Sequence, residues 1–158
     1  MNISPGNIVI LGAAESGLGA AILANKMGWS VLVSDNAVIS EDNKNKLDEI
    51  GVNWEELGHS YRDFENADLV VKSPGIADNV AVVEYFTKRS IKVVSEIEFA
   101  GYYNKAKTIC ITGSNGKTTT AKWTYSILKN AGFKVGLAGN IGDSFAKQVA
   151  ESDCDWYV

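Results

Sequence analysis

The densest chemistry in the chain lies in Gly113-Ser114-Asn115-Gly116-Lys117-Thr118-Thr119. Glycines let successive backbone N–H groups turn toward one point, and a helix opening behind them adds partial positive charge there. Lys117 would then reach the β- and γ-phosphates of a nucleoside triphosphate, and the Thr118 hydroxyl would ligand a magnesium ion. An exposed Gly-Lys turn would explain the lysine, but not two glycines, a lysine and a threonine between a strand and a helix. One feature departs from the standard phosphate loop. That pattern places its first glycine at position 111, where this chain has Ile111, and the glycine stands instead at Gly113. The loop is a shortened variant.

A second glycine turn comes early, Gly12-Ala13-Ala14-Glu15-Ser16-Gly17. It has the outer glycines of the dinucleotide fingerprint but Ala14 in the middle. Asp35 ends the following strand, where an acidic residue grips a ribose in such folds. The pair argues for a nucleotide more than for a dinucleotide. The plainer alternative is that the two glycines only permit the turn and close helix packing. A nicotinamide oxidoreductase would use this first turn and leave Lys117 idle.

The elements that must position these residues alternate. Asn7 to Leu11 is an apolar run without polar alternation, as suits a parallel strand buried on both faces. A helix from Leu18 to Met27 and a strand at Val31–Val33 complete a βαβ unit. Ser40 caps a polar helix with Leu47 and Ile50 inward; short strands follow at Val52–Trp54 and Leu69–Val71. A helix over Val80–Lys88 leads to a strand at Ile91–Val94. Ser95 and Glu98 fit a capping box, opening a helix with Ile97, Phe99, Ala100 and Tyr103 inward. Then come a buried strand at Thr108–Ile111, the Lys117 loop, a helix over Thr119–Asn130, a strand at Val135–Ala138, a helix over Ser144–Val149, and a strand opening at Trp156. The fold class is α/β: a Rossmann-like parallel-sheet domain over residues 1–94, then an incomplete phosphate-loop α/β domain over 95–158. Ending on an apolar strand, the chain reads as a fragment of something longer.

Composition narrows the classes. The chain has 158 residues, 46% hydrophobic and 22% charged, with net charge −4. That is a globular mixture, and its sign disfavours a nucleic-acid or anionic-membrane binder. Met1 to Pro5 has no signal-peptide pattern, and no apolar run approaches the ~20 residues of a membrane helix. Cys110 and Cys154 sit in apolar runs and read as reduced core thiols of a cytoplasmic protein. His59, the one histidine, reads as a surface residue of a polar loop. Glu96 and Glu98 lie two apart on a helix and make a poor acid/base pair. Trp29, Trp54, Trp123 and Trp156 read as packing residues.

Taken together, Ile10 to Gly19, Ser34-Asp35, Ser73-Pro74-Gly75-Ile76, Ser95 to Phe99, Ile111 to Thr119 and Gly139-Asn140-Ile141-Gly142 resemble, in order, the N-terminal part of the Mur ligase family. The displaced glycine is normal there. The D-glutamate-adding members resemble it more than the alanine-adding ones, which usually carry His where Asn115 stands. Folylpolyglutamate synthases share the loop but match the first turn and Ser-Pro-Gly less well.

The resemblance implies that the first domain holds the uridine nucleotide of a substrate and no nicotinamide. Glu15, Ser16 and Gly17 would lie near its diphosphate, Asp35 at the uridine end, and Ser73 and Gly75 along the same cleft. Asn140 would face the substrate between domains. The loop from Gly113 to Thr119 would bind ATP, with Lys117 and Thr118 catalytic and Thr118 on magnesium. The implied reaction activates UDP-N-acetylmuramoyl-L-alanine as an acyl phosphate, which D-glutamate attacks to form an amide, a cytoplasmic step of peptidoglycan precursor synthesis without nucleic-acid or membrane partners. The family's acidic magnesium ligand, modified lysine, histidine and amino-acid-binding domain would follow Val158, so the chain alone is expected to be inactive.

Overall fold

The structure is a computed structural model that describes residues 3–158 and every side chain among them except that of Asp63; Met1 and Asn2 of the N-terminal stretch lie outside the described residues. Five parallel strands form the first sheet: β1 (Asn7–Leu11), β2 (Ser30–Ser34), β3 (Asn53–Glu55), β4 (Leu69–Lys72) and β5 (Lys92–Ser95). Their spatial order is β3-β2-β1-β4-β5, with Ile10 opposite both Val33 and Val71. The chain leaves β1 toward β2 on one side and later returns to β4 on the other. This reversal leaves a crevice at the carboxyl ends of the strands.

The unbroken apolar run of β1 is used on both faces. Ile8 and Ile10 are buried with α1 (Glu15–Lys26) and α4 (Glu96–Tyr103), while Val9 and Leu11 are buried with Phe64, Val83 and Phe86. Phe86 and Val83 come from α3 (Ala81–Lys88), the helix expected over Val80–Lys88. Ser40 caps α2 (Glu41–Glu49) by accepting from Asn43 N at 3.3 Å, and Leu47 is its one buried residue.

A smaller parallel sheet follows, in the order β6-β8-β7: β6 (Lys107–Thr108), β7 (Val135–Gly136) and β8 (Trp156–Tyr157). It is flanked by α5 (Lys117–Asn130) and α6 (Phe145–Glu151). Helix α6 joins the first core, since Phe145, Ala146 and Ala150 bury among residues of α1 and α4. The approach is close enough that a Cβ on Gly19 would lie 2.0 Å from Ser144 Oγ.

Several expectations are corrected. Helix α1 begins at Glu15, three residues earlier than read, and α5 begins at Lys117. Ser95 does cap α4, accepting from Glu98 N at 3.1 Å, but the Glu98 carboxylate does not return to the cap. It binds Lys92 and Tyr102 instead. On α4 the inward position expected of Ile97 belongs to Glu96, which is 4% exposed against 46% for Ile97. The Thr108–Ile111 run pairs only through its first residues, and Cys110, beyond the end of the short strand, is exposed rather than a core thiol. Helix α5 likewise buries none of its residues, and Trp123 is exposed rather than packed.

Candidate functional site

Two glycine turns end in two helix N-termini. At the first, Ala14 caps α1 without a side-chain hydrogen bond, and the first backbone bond into the helix is Leu18 N to Ala14 O. Among the described residues, nothing in the protein takes the N–H groups of Glu15, Ser16 and Gly17. They stand at the crevice of the first sheet as an unclaimed set of donors with the positive end of a helix behind them. Gly17 must lack a side chain, because a Cβ there would fall 1.8 Å from Gly12 O.

Asp35 braces this turn. Its Oδ2 accepts from Ala13 N at 2.7 Å and its Oδ1 from Ala37 N at 2.9 Å, so the end of β2 is tied to the turn after β1. Ser73, past the end of β4, sits directly below, where its Oγ is buried and has no hydrogen-bond partner. A cavity of about 550 Å³ opens here, and Gly12, Asp35, His59, Tyr61 and Gly75 line it. The structure therefore gathers Asp35 and Gly75 on one cleft, with Ser73 beneath Gly12 and the 15–17 turn beside them.

His59 is not the loose surface residue expected. It is half-buried, with Nδ1 2.7 Å from the Oγ of Ser34, which also donates to Glu55 Oε1 at 2.6 Å. Burial pushes the His59 pKa down against the pull of Glu55 and Asp35. Burial alone would raise Glu55, but hydrogen bonds from Ser34 and Ser60 outweigh it and hold its carboxyl below the usual range.

At the second turn Gly116 is the N-cap of α5 with φ +78, a left-handed conformation that glycine adopts freely. No backbone or side-chain acceptor among the described residues takes the N–H groups of Ser114 to Thr119. The Lys117 ammonium folds back onto the carbonyl oxygens of Gly113 and Ser114. A cavity of about 310 Å³ adjoins the loop, lined by Lys117, Thr118, Asn140, Ile97 and Cys110 among others. Asn140 thus shares a cavity with Lys117 and Thr118 rather than with Asp35. Glu96 was missed altogether as a structural element. Its buried carboxylate accepts from Ser144 Oγ at 2.7 Å and Ala146 N at 2.5 Å, pinning the start of α6 to α4.

A switched parallel sheet with a bare helix terminus at its crevice, followed by a strand–glycine loop–lysine–helix, defines an α/β nucleotide-binding class with two anion cradles. The family comparisons place it more narrowly. The model of the MurD N-terminal domain matches residues 7–82, and that of the Mur ligase middle domain matches residues 111–153. The chain is 52% identical over 151 residues to a UDP-N-acetylmuramoylalanine--D-glutamate ligase of Bacteroides fragilis, covering 96% of this chain and 34% of that protein. It is 48% identical over 152 residues to the ligase of the same name from Porphyromonas gingivalis, with the same coverage. Among solved structures, a murein peptide ligase from Psychrobacter arcticus shares the fold at a TM-score of 0.62 and 24% identity, over 96% of this chain and 36% of that one. The chain belongs to the Mur ligase family, whose members are ATP-dependent. It spans about a third of the length of the curated relatives it matches. No helix among the described residues is long and apolar enough to cross a membrane.

Proposed function

We propose that this chain carries the uridine-nucleotide site, and the opening of the ATP site, of a cytoplasmic ligase that joins D-glutamate to UDP-N-acetylmuramoyl-L-alanine. One observation carries the reading: a single chain presents two sets of unclaimed backbone N–H groups at two helix N-termini, and only the second has a lysine folded over it. The first set, at Glu15, Ser16 and Gly17, suits a diphosphate, with Asp35 toward the uridine and Ser73 and Gly75 along the cleft. The second, from Gly113 to Thr119, suits a triphosphate, and the open space around Gly116 leaves room for it. A nicotinamide enzyme would have no use for the second.

The division of labour follows residues 1–94 and 95–158. ATP, when bound with magnesium, supplies the phosphoryl group that activates the alanyl carboxylate toward the amine of D-glutamate. The chain's own residues do the holding. The loop amides and Lys117 neutralise and align the phosphates, the Thr118 hydroxyl is placed to ligand magnesium, and Asn140 faces the space beside them. Calorimetric titration of the chain tests this. UDP-N-acetylmuramoyl-L-alanine should give saturable heat, NAD should give none, and the chain alone should show no ligase turnover. NAD binding with the uridine substrate silent reverses the reading.

A further inference from the structure

We infer that His59 reads the base of the bound nucleotide, offering its Nε2 as an acceptor to the imide N3–H of uracil. This rests on the uridine reading above and names the residue that enforces it.

The argument starts from one proton. Ser34 Oγ is fully buried and lies 2.6 Å from Glu55 Oε1 and 2.7 Å from His59 Nδ1. An ionised carboxylate can only accept, so the hydroxyl proton belongs to Glu55. Glu55 is kept ionised by that bond and by Ser60 N, which donates to both carboxylate oxygens at 3.0 and 3.1 Å. Ser34 then has only lone pairs to offer His59, and Nδ1 must carry the hydrogen. In a neutral imidazole this leaves Nε2 as a bare acceptor. Burial favours the neutral ring.

Nε2 has no hydrogen-bond partner among the described residues, and the ring lines the crevice cavity with Asp35, Tyr61 and Gly75. Asp35 also lines the cavity, where each of its oxygens takes one main-chain N–H, from Ala13 and from Ala37, whereas His59 Nε2 takes none. Uracil presents a donor at N3, whereas cytosine presents an acceptor there and would set lone pair against lone pair.

Calorimetry on the full 158-residue chain with UDP, CDP and N3-methyl-UDP tests the assignment. UDP should bind at least about tenfold more tightly than either analogue, the discrimination one well-placed hydrogen bond supplies. His59→Asn keeps an N–H at the Nδ1 position for Ser34 but has no atom at Nε2, so it should lose the preference while the cluster stays intact. His59→Gln, whose carboxamide oxygen reaches the Nε2 position, should keep part of it. Equal binding of UDP and N3-methyl-UDP by the unmodified chain overturns the inference, as does a preference that survives in His59→Asn. A chain that binds no UDP at all overturns the uridine reading together with it.

Discussion

The two cradles are built in opposite ways. The first is over-determined: its turn is pinned by Asp35 to β2, pressed onto Ser73 past β4, and backed by a sheet buried on both faces. The second stands on a two-residue strand, its helix buries none of its residues, and its glycines have open space around them. A site that recognises one rigid group gains from walls fixed by many contacts, because little ordering remains to be done on binding. A loop proposed to wrap a phosphate chain gains from little packing against its backbone. The difference between the cradles is therefore one of how many neighbours define each backbone position.

Equal substitutions in the two turns break or sharpen this contrast most strongly. Gly17→Ala should stabilise a helix by propensity, by about 1 kcal/mol. Its Cβ, however, meets the Gly12 carbonyl at 1.8 Å, a backbone atom that cannot swing away. The clash dominates, and a net loss of about 3 kcal/mol in urea denaturation is expected. Gly116→Ala meets nothing within 4 Å and suffers only its left-handed φ of +78. That costs about 1 kcal/mol. Equal losses at both positions would mean the first turn is as free as the second.

Glu96 comes next, because it ties the two regions together. Removing its carboxylate by Glu96→Ala strands the Ser144 hydroxyl and the Ala146 N–H at the start of α6. Losing a buried acceptor of two hydrogen bonds should cost about 2–4 kcal/mol, read as a lower urea midpoint. Glu96→Gln, which retains an acceptor oxygen, should cost less. If both variants match the parent, α6 is held to the first core by its apolar residues alone.

How much of this the sequence disclosed depends on where each residue's partners lie. β1 was legible because burial on both faces demands an unbroken apolar run, and Asn7 to Leu11 is one. The Lys117 loop was legible because its glycines, lysine and threonine are contiguous. Cys110 and Trp123 were misread since an apolar residue implies a covering layer only if one is there, and no local pattern reports that. Glu96 was weighed only against Glu98, two residues along the same helix, whereas its partners lie 48 and 50 residues away. His59 was dismissed for the same reason, since Ser34 is 25 residues back on another strand and only the parallel pairing of β2 with β3 brings the loop after Glu55 over it.

The smallest expected effect concerns acid, and it bears on the tautomer argument for His59. The folded pKa of His59 lies below its ordinary 6.5, so the unfolded chain binds a proton more readily. Stability should then be constant above about 6.5 and fall as pH drops from there toward the folded pKa. Glu55 works in the same direction lower down: its folded pKa is depressed, so its contribution is present above the ordinary carboxylate value and lost as pH falls from there through the folded pKa. The half-exposed ring is screened by water, which keeps the His59 part modest. Urea midpoints at pH 7.5 and 5.5 for the parent and for His59→Gln separate the two groups, since only the parent carries the imidazole. The parent should lose more on acidification. A parent that instead gains stability relative to His59→Gln would mean the folded ring prefers its proton; Nε2 would then be a donor, and the two acidic neighbours Asp35 and Glu55 would outweigh burial at the first cradle.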